Sequence, residues 1–252
     1  MCTRFYVLPG SPDLEYILAA ARKSPLLRRF VHGLKTSGEI RPTDIVPVLA
    51  PDKRGNAAVY PMQWGFRLPA GRTGEKGMLL VNARTETAAE KAAFRDAWTS
   101  RRCIVPSSWY YEWEHFTDER GRRKTGQKYA ICSGSFPQLP APGKSPEERS
   151  PEVSMEAVLP AQTELGEEVL KASSVTWLCG LYRIENNVPV FVILTREPGQ
   201  ELSRIHDRMP LILSRAEVRP WVSGVSGADN ILAKTLPMLR AERPYEQMTF
   251  EW

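Results

Sequence analysis

Cys2 follows the initiator methionine in the opening run Met1-Cys2-Thr3-Arg4. Removing Met1 leaves a cysteine whose free α-amine and thiol sit on adjacent carbons, a 1,2-aminothiol. The amine titrates near ~8 and the thiol near ~8.5, so a useful fraction of each is nucleophilic close to neutrality. An aldehyde is the reagent such a pair selects. The amine condenses with it to an imine, and the thiol then closes a stable five-membered thiazolidine. Many chains carry a cysteine at position 2 by chance, so helpers must be sought elsewhere.

Three other clusters could supply them. In Ser107-Ser-Trp-Tyr-Tyr-Glu-Trp-Glu114 the strand alternation puts Trp109, Tyr111 and Trp113 on one face and Tyr110, Glu112 and Glu114 on the other. With the aromatic face packed inward, Glu112 would project from the opposite surface, a rigid carboxylate suited to general acid or base work. In Val81-Asn-Ala-Arg-Thr-Glu-Thr87, Asn82 and Arg84 point to the same side at the end of an apolar strand. The Arg fork matches phosphate oxygens, although a salt bridge from Arg84 to Glu86 fits equally well. In Ser203-Arg-Ile-His-Asp-Arg-Met-Pro210, His206 titrates near neutrality among charges that can tune it. Trp64 and Phe66 near Arg67 could stack bases and contact phosphates, or simply pack a core, and the basic run Arg122-Arg123-Lys124 could extend such a surface.

The elements that must hold these groups read as α+β, with a curved or barrel-like sheet and flanking helices. Ser11-Pro12-Asp13 ahead of Leu14, Ile17, Leu18 and Ala21 predicts a capped amphipathic helix. Strands are expected at 46–49, 59–66, 78–83, 103–113, 128–132, 176–182 and 188–195. A second helix is expected from Thr87, boxed by Glu90, through Phe94 to Trp98, and Ser214 with Glu217 opens a short one near the end. The stretch 134–154 is rich in Pro, Ser, Gly and Glu and poor in apolar residues, which suggests a surface insertion within one domain spanning 1–252.

Composition narrows the classes. Four scattered cysteines and three histidines give no zinc-ligand spacing, so neither a metal nor another cofactor is expected. No membrane-length apolar run and no signal-like start are present, so a cytoplasmic protein with reduced thiols is expected. A net charge of +5 is compatible with nucleic acid without requiring it.

Taken in order, Cys2 with Arg4, the segment Gly38–Pro47, Trp64-Gly65, Asn82-Ala-Arg84 with Glu86, the run Cys103–Trp113 with Glu112, Thr195, and His206-Asp-Arg-Met-Pro210 resemble the SOS response-associated peptidase (SRAP) family, which contains abasic-site processing proteins. The resemblance spans nearly the whole chain. Two departures stand out: Thr3 occupies a place where the family commonly has glycine, and 134–154 looks like an insertion. The resemblance implies covalent crosslinking to abasic sites in single-stranded DNA, removal of the chain's own Met1 as a peptidase activity, and an accompanying lyase activity. Arg4 and Arg84 would grip phosphates, Trp64 would stack, Thr195 would contact DNA, His206 would open the deoxyribose, Asn82 would position the Cys2 amine and Glu112 would shuttle protons. A monomer is implied, nucleoid-associated on DNA, with the replication machinery as a candidate partner. Two rival readings remain. One is an N-terminal-nucleophile amidotransferase or amidohydrolase, whose usual Asn-Gly pair this chain lacks; the other is a non-catalytic module for single-stranded DNA.

Overall fold

In the computed structural model, residues 2–69, 77–134, 136, 174–224, 231–232 and 239–243 are described. The chain opens with β1 (Phe5–Val7) and α1 (Pro12–Arg22), whose Leu14, Ile17, Leu18 and Ala21 recur at helical spacing and are all buried. Pro12 stands in the first turn, where its missing N–H has no intrahelical partner to lose. There follow β2 (Gly38–Ile40), β3 (Ile45–Pro51), β4 (Ala57–Trp64), β5 (Phe66–Leu68), β6 (Met78–Leu80) and β7 (Asn82–Arg84). Next come α2 (Thr85–Ala88), α3 (Arg95–Ser100), β8 (Arg102–Ser107), β9 (Trp109–Thr117), β10 (Arg123–Ser133), β11 (Thr176–Glu185) and β12 (Val188–Arg196). The order ends with α4 (Gln200–Ser203), β13 (Met209–Pro210), β14 (Ile212–Leu213), α5 (Arg215–Ser223) and β15 (Leu239–Glu242).

The strands close a mixed barrel. β12 pairs antiparallel with β11 and parallel with β4, β4 pairs with β3, β3 with β8, and β8 returns to β11. Closure leaves none of these five strands as a free edge, which suits the continuous apolar run of β12, buried from Pro189 through Thr195. A second sheet has the order β15-β10-β9-β1-β2. Only Ser108 separates β8 from β9: its N–H donates to the Tyr6 carbonyl at 2.8 Å and its Oγ accepts the Leu8 N–H at 2.9 Å. One long run of chain thereby leaves the barrel and enters the second sheet, carrying Glu112 with it.

The expected α+β class and barrel-like sheet are therefore present. Four elements differ from expectation: the run 78–83 is divided at Val81 into β6, paired with β5, and β7, paired with β12, and the run 103–113 is divided at Ser108. The run 59–66 is divided at Gly65, whose φ of 122° lies outside ordinary strand geometry and whose missing Cβ leaves room for the Leu79 side chain. The single helix expected from Thr87 is two short ones: extended backbone ends at Arg84, α2 starts directly after it, and Thr87 Oγ1 is buried with no hydrogen bond among the described residues. The second capping box does form, with the Ser214 N–H donating to Glu217 Oε2 at 3.0 Å. Apart from Gly134 and Phe136, the stretch 134–154 lies outside the described residues. Among the described residues no helix is long and apolar enough to cross a membrane, and no cluster of acidic, His and Cys side chains is arranged for a metal.

Candidate active site

Cys2, Asn82, Glu112 and His206 come from four places in the chain: its start, β7, β9 and the loop after α4. Strand β7 runs parallel to β12 with Asn82 opposite Ile193. This places the Asn82 amide against the start of the chain, where Nδ2 donates to the Cys2 carbonyl at 2.8 Å. Asn82 Oδ1 is buried and takes no hydrogen bond among the described residues, with the amide oriented by that single contact. Cys2 itself is fully buried, and its Sγ donates weakly to the Arg4 carbonyl at 3.7 Å. Burial, reinforced by the nearby Glu112 carboxylate, pushes the thiol far above its usual range, so it rests protonated.

Strand alternation holds along β9, but the inward face is the opposite of the one expected. Tyr110 and Glu112 are buried inward, whereas on the outer side Trp109 and Trp113 are partly exposed and Tyr111 is buried beneath Lys128. The aromatic face covers the sheet from outside because Arg4 and Lys128 lie over it, with Arg4 5.7 Å from the Trp113 ring and Lys128 3.7 Å from the Tyr111 ring. Glu112 therefore projects into the protein rather than from its surface. Burial lifts its carboxyl to about 7, with the charge of Asp207 adding to the effect.

His206 Nε2 lies 3.4 Å from Glu112 Oε1, and both side chains are 5% exposed. On the other side of the ring, Nδ1 has two neighbours: Asp207 Oδ1 at 2.7 Å and the Arg208 N–H at 3.0 Å. The first contact needs a proton on Nδ1 and the second needs a lone pair there. The site accordingly has two tautomeric forms, one offering a lone pair to Glu112 and the other offering N–H. A proton passed through the ring converts one form into the other. Burial lowers His206 to about 4, so the ring is neutral at physiological pH. The ring also packs 4.4 Å from that of His115, whose Nδ1 faces Arg123 at 2.8 Å, while Arg123 lies 3.7 Å from Asp207.

Arg208 anchors this loop. It binds both Glu86 oxygens, at 2.9 and 2.8 Å, and donates to the Thr195 carbonyl at 2.7 Å. Glu86 is thus engaged by Arg208, and Arg84 is left exposed, in no ion pair among the described residues. Arg4 donates to Glu39. Two sequence expectations are corrected. Trp64 is fully buried with its ring between Phe5 and Phe191 and its Nε1 donating to the Val81 carbonyl at 2.9 Å, so it has no open face on which to stack a base. Thr195 is also fully buried, its hydroxyl donating to the Ala83 carbonyl at 3.4 Å, so its side chain supports the Arg208 anchor and has no surface to offer DNA.

A rigid carboxylate and imidazole sharing a buried site with a thiol and a carboxamide can move protons at a carbonyl under attack. The profile of the family described as SOS response associated peptidase (SRAP) matches residues 1–251. The chain belongs to the SRAP family.

Among its SRAP relatives, the abasic site processing protein YoaM of Bacillus subtilis (strain 168) is 26% identical over 181 residues, 69% of this chain and 61% of that protein. The abasic site processing protein YedK of Escherichia coli (strain K12) is 27% identical over 145 residues, 57% of this chain and 47% of that one. The matched stretch thus spans about three fifths or less of these relatives' length. Among solved structures, a protein from Bacteroides thetaiotaomicron superposes with a TM-score of 0.56 at 17% identity, covering 95% of this chain and 90% of the other. A phage-related protein from Bordetella bronchiseptica gives 0.56 at 17% identity, with 96% and 94% covered. These likenesses establish a shared fold.

Sequence reasoning missed His115 and Glu39. Alternation places His115 on the face of β9 opposite Glu112, yet both meet His206 because the His115 N–H donates to the Ile205 carbonyl at 3.1 Å and draws that loop along the strand. Glu39 was missed because two of its three partners, Arg4 and Lys128, lie 35 and 89 residues away, and the nearby Arg41 alone marks nothing.

Proposed function

We propose that this chain, once Met1 is gone, crosslinks covalently to abasic sites in single-stranded DNA through Cys2. The observation that carries the reading is the pairing of two contacts: Asn82 on the Cys2 backbone, and His206 on Glu112. Burial of Cys2 means that a change at the start of the chain has to precede access, and self-removal of Met1 supplies one.

These contacts support the following steps. The Glu112–His206 pair delivers its proton to the ring oxygen of the abasic deoxyribose and takes one back from the anomeric hydroxyl, as the C–O bond breaks and the aldehyde forms. The Cys2 amine attacks that carbonyl carbon, held through its carbonyl by Asn82 Nδ2, with Asn82 Oδ1 able to accept from the amine. Glu112 takes the proton that the amine releases and returns it to the carbinolamine hydroxyl, which leaves as water as the imine forms. The thiol then adds across the C=N bond, sulfur to carbon and hydrogen to nitrogen, closing the thiazolidine. Keeping sulfur protonated until this step lets the amine react first. Arg84, exposed beside the site, and Arg4 hold the flanking phosphates. The relatives' designation as abasic site processing proteins supports the same substrate. The protein acts as a monomer on the DNA, with an abasic-site lyase side reaction following from the same imine.

The test is an oligonucleotide carrying one abasic site, mixed with protein lacking Met1 and run on a denaturing gel. A denaturation-resistant adduct that Cys2→Ala abolishes is expected. Its absence in the wild type, or an identical thiazolidine with Cys2→Ala, overturns the reading. Arg84→Ala should weaken binding of intact strands and flatten its salt dependence, by a slope of ~0.7 for each phosphate no longer neutralised.

A further inference from the structure

Three cations gather on one carboxylate at the edge of the second sheet. Arg4 from the end of the chain's first segment, Arg41 just after β2 and Lys128 of β10 all reach Glu39, with Arg41 at 2.9 Å and Lys128 at 3.2 Å. These three partners hold Glu39 ionised, at about 2, against the opposing effect of partial burial. The side chains remain reachable from solvent, Arg41 most of all at 60% exposure. Beside them lies the outward aromatic face: Tyr6 stacked on Trp109 at 4.5 Å and 5°, Tyr111 edge-on to both, and Trp113 beneath Arg4 and Lys128.

An arrangement with three donors converging on one anionic group, next to partly exposed aromatic rings, has the chemistry of a nucleotide seat. Cations neutralise a phosphate and rings receive a base. We propose that Arg4, Arg41 and Lys128 form a phosphate seat for single-stranded nucleic acid, in which Glu39 is an internal anion that the incoming backbone phosphate displaces. The inference rests on the proposed DNA substrate and adds to it two cations, Arg41 and Lys128, and a restraining carboxylate. While Glu39 is in place, Arg4 is unavailable to DNA, so the resting seat discriminates against weakly held anions. A strand that also engages Arg84 and the aromatic face is held strongly enough elsewhere to displace it.

The test uses an unmodified single-stranded oligonucleotide, which holds no aldehyde and so separates binding from crosslinking. Glu39→Gln removes the competing charge and should tighten binding several-fold with a steeper salt dependence. Lys128→Gln and Arg41→Gln should each weaken it and flatten the slope by ~0.7. Trp113→Ala should weaken binding without changing the slope. Thermal melts establish that each variant is folded. Should Glu39→Gln fold poorly, the two cation variants decide the matter alone. Unchanged or weaker binding by folded Glu39→Gln, or unchanged slopes for Lys128→Gln and Arg41→Gln, overturns the proposal and assigns the cluster to holding β1, β2 and β10 together. A wild type that binds as expected but forms no adduct with abasic DNA rejects the crosslinking reading and leaves the seat standing.

Discussion

Glu112 Oε1 faces His206 Nε2 at 3.4 Å in a setting that excludes nearly all water from both groups. With the carboxyl near 7 and the imidazole near 4, the pair holds one exchangeable proton across the interval between them and titrates as a unit. The rate of adduct formation at saturating abasic DNA should fall on the alkaline side as that proton is lost, at a pH above the ordinary carboxylate range because burial raises the Glu112 carboxyl. Glu112→Gln should remove this limb and slow the reaction. A wild-type rate that climbs without a break through the titration range of the α-amine counts against the assignment.

The same carboxyl affects stability. Its pKa is raised on folding from 4.5 to about 7, so the stability it contributes is full below the unfolded value and is lost as pH rises through the folded one. Above neutrality Glu112→Gln should unfold at higher denaturant than the wild type, by up to about 3 kcal/mol, and the difference should shrink toward pH 4. Equilibrium urea titrations across that interval measure it.

Arg123 works against protonation of His206, as does His115, while Asp207 favours it. Arg123→Ala should therefore move the His206 midpoint upward. The chain has three histidines, so their NMR titrations can be followed separately, with His206 assigned from the signal missing in His206→Asn. A midpoint that stays still or falls contradicts the charge relationship.

Trp64→Ala should cost about 3–5 kcal/mol by emptying a core position. Trp64→Phe, which keeps most of the ring volume, should leave affinity for single-stranded DNA unchanged. A marked loss of affinity in a stable Trp64→Phe protein would restore the stacking role that burial rules out.

Glu86→Gln should slow adduct formation by about tenfold, since the His206 loop hangs on the hydrogen bonds from Arg208 to Glu86 and small misplacements of reacting groups are costly. Binding of intact strands should be unaffected or slightly tighter. Equal loss of binding and rate would place Glu86 in the DNA surface instead.

Which of these features the sequence disclosed follows from the range of the interactions. Helix α1 and the box opening α5 are local, and their residues announce them. Asn82 and Arg84 were legible because a short strand fixes both on one side. For β9, a period of two identifies which side chains share a face but not which face is inward: a strand between two layers can be aromatic outside when cations cover it. Trp64 had the same neighbours it would have had as a stacking residue, and only the approach of Phe5 and Phe191 decides otherwise. Barrel closure, the Glu39 cluster and the His115 contact depend on register between distant strands, which no window of sequence contains.

All four cysteines are buried as free thiols. For Cys2 this has a consequence outside the crosslinking step. Peroxides and alkylating reagents consume thiolates, and a protonated sulfur with no solvent contact is poor prey for either. While it stays buried, Cys2 is therefore shielded from oxidation to sulfenic or sulfinic acid. On the proposed reading its reactivity waits on the change at the start of the chain that uncovers it.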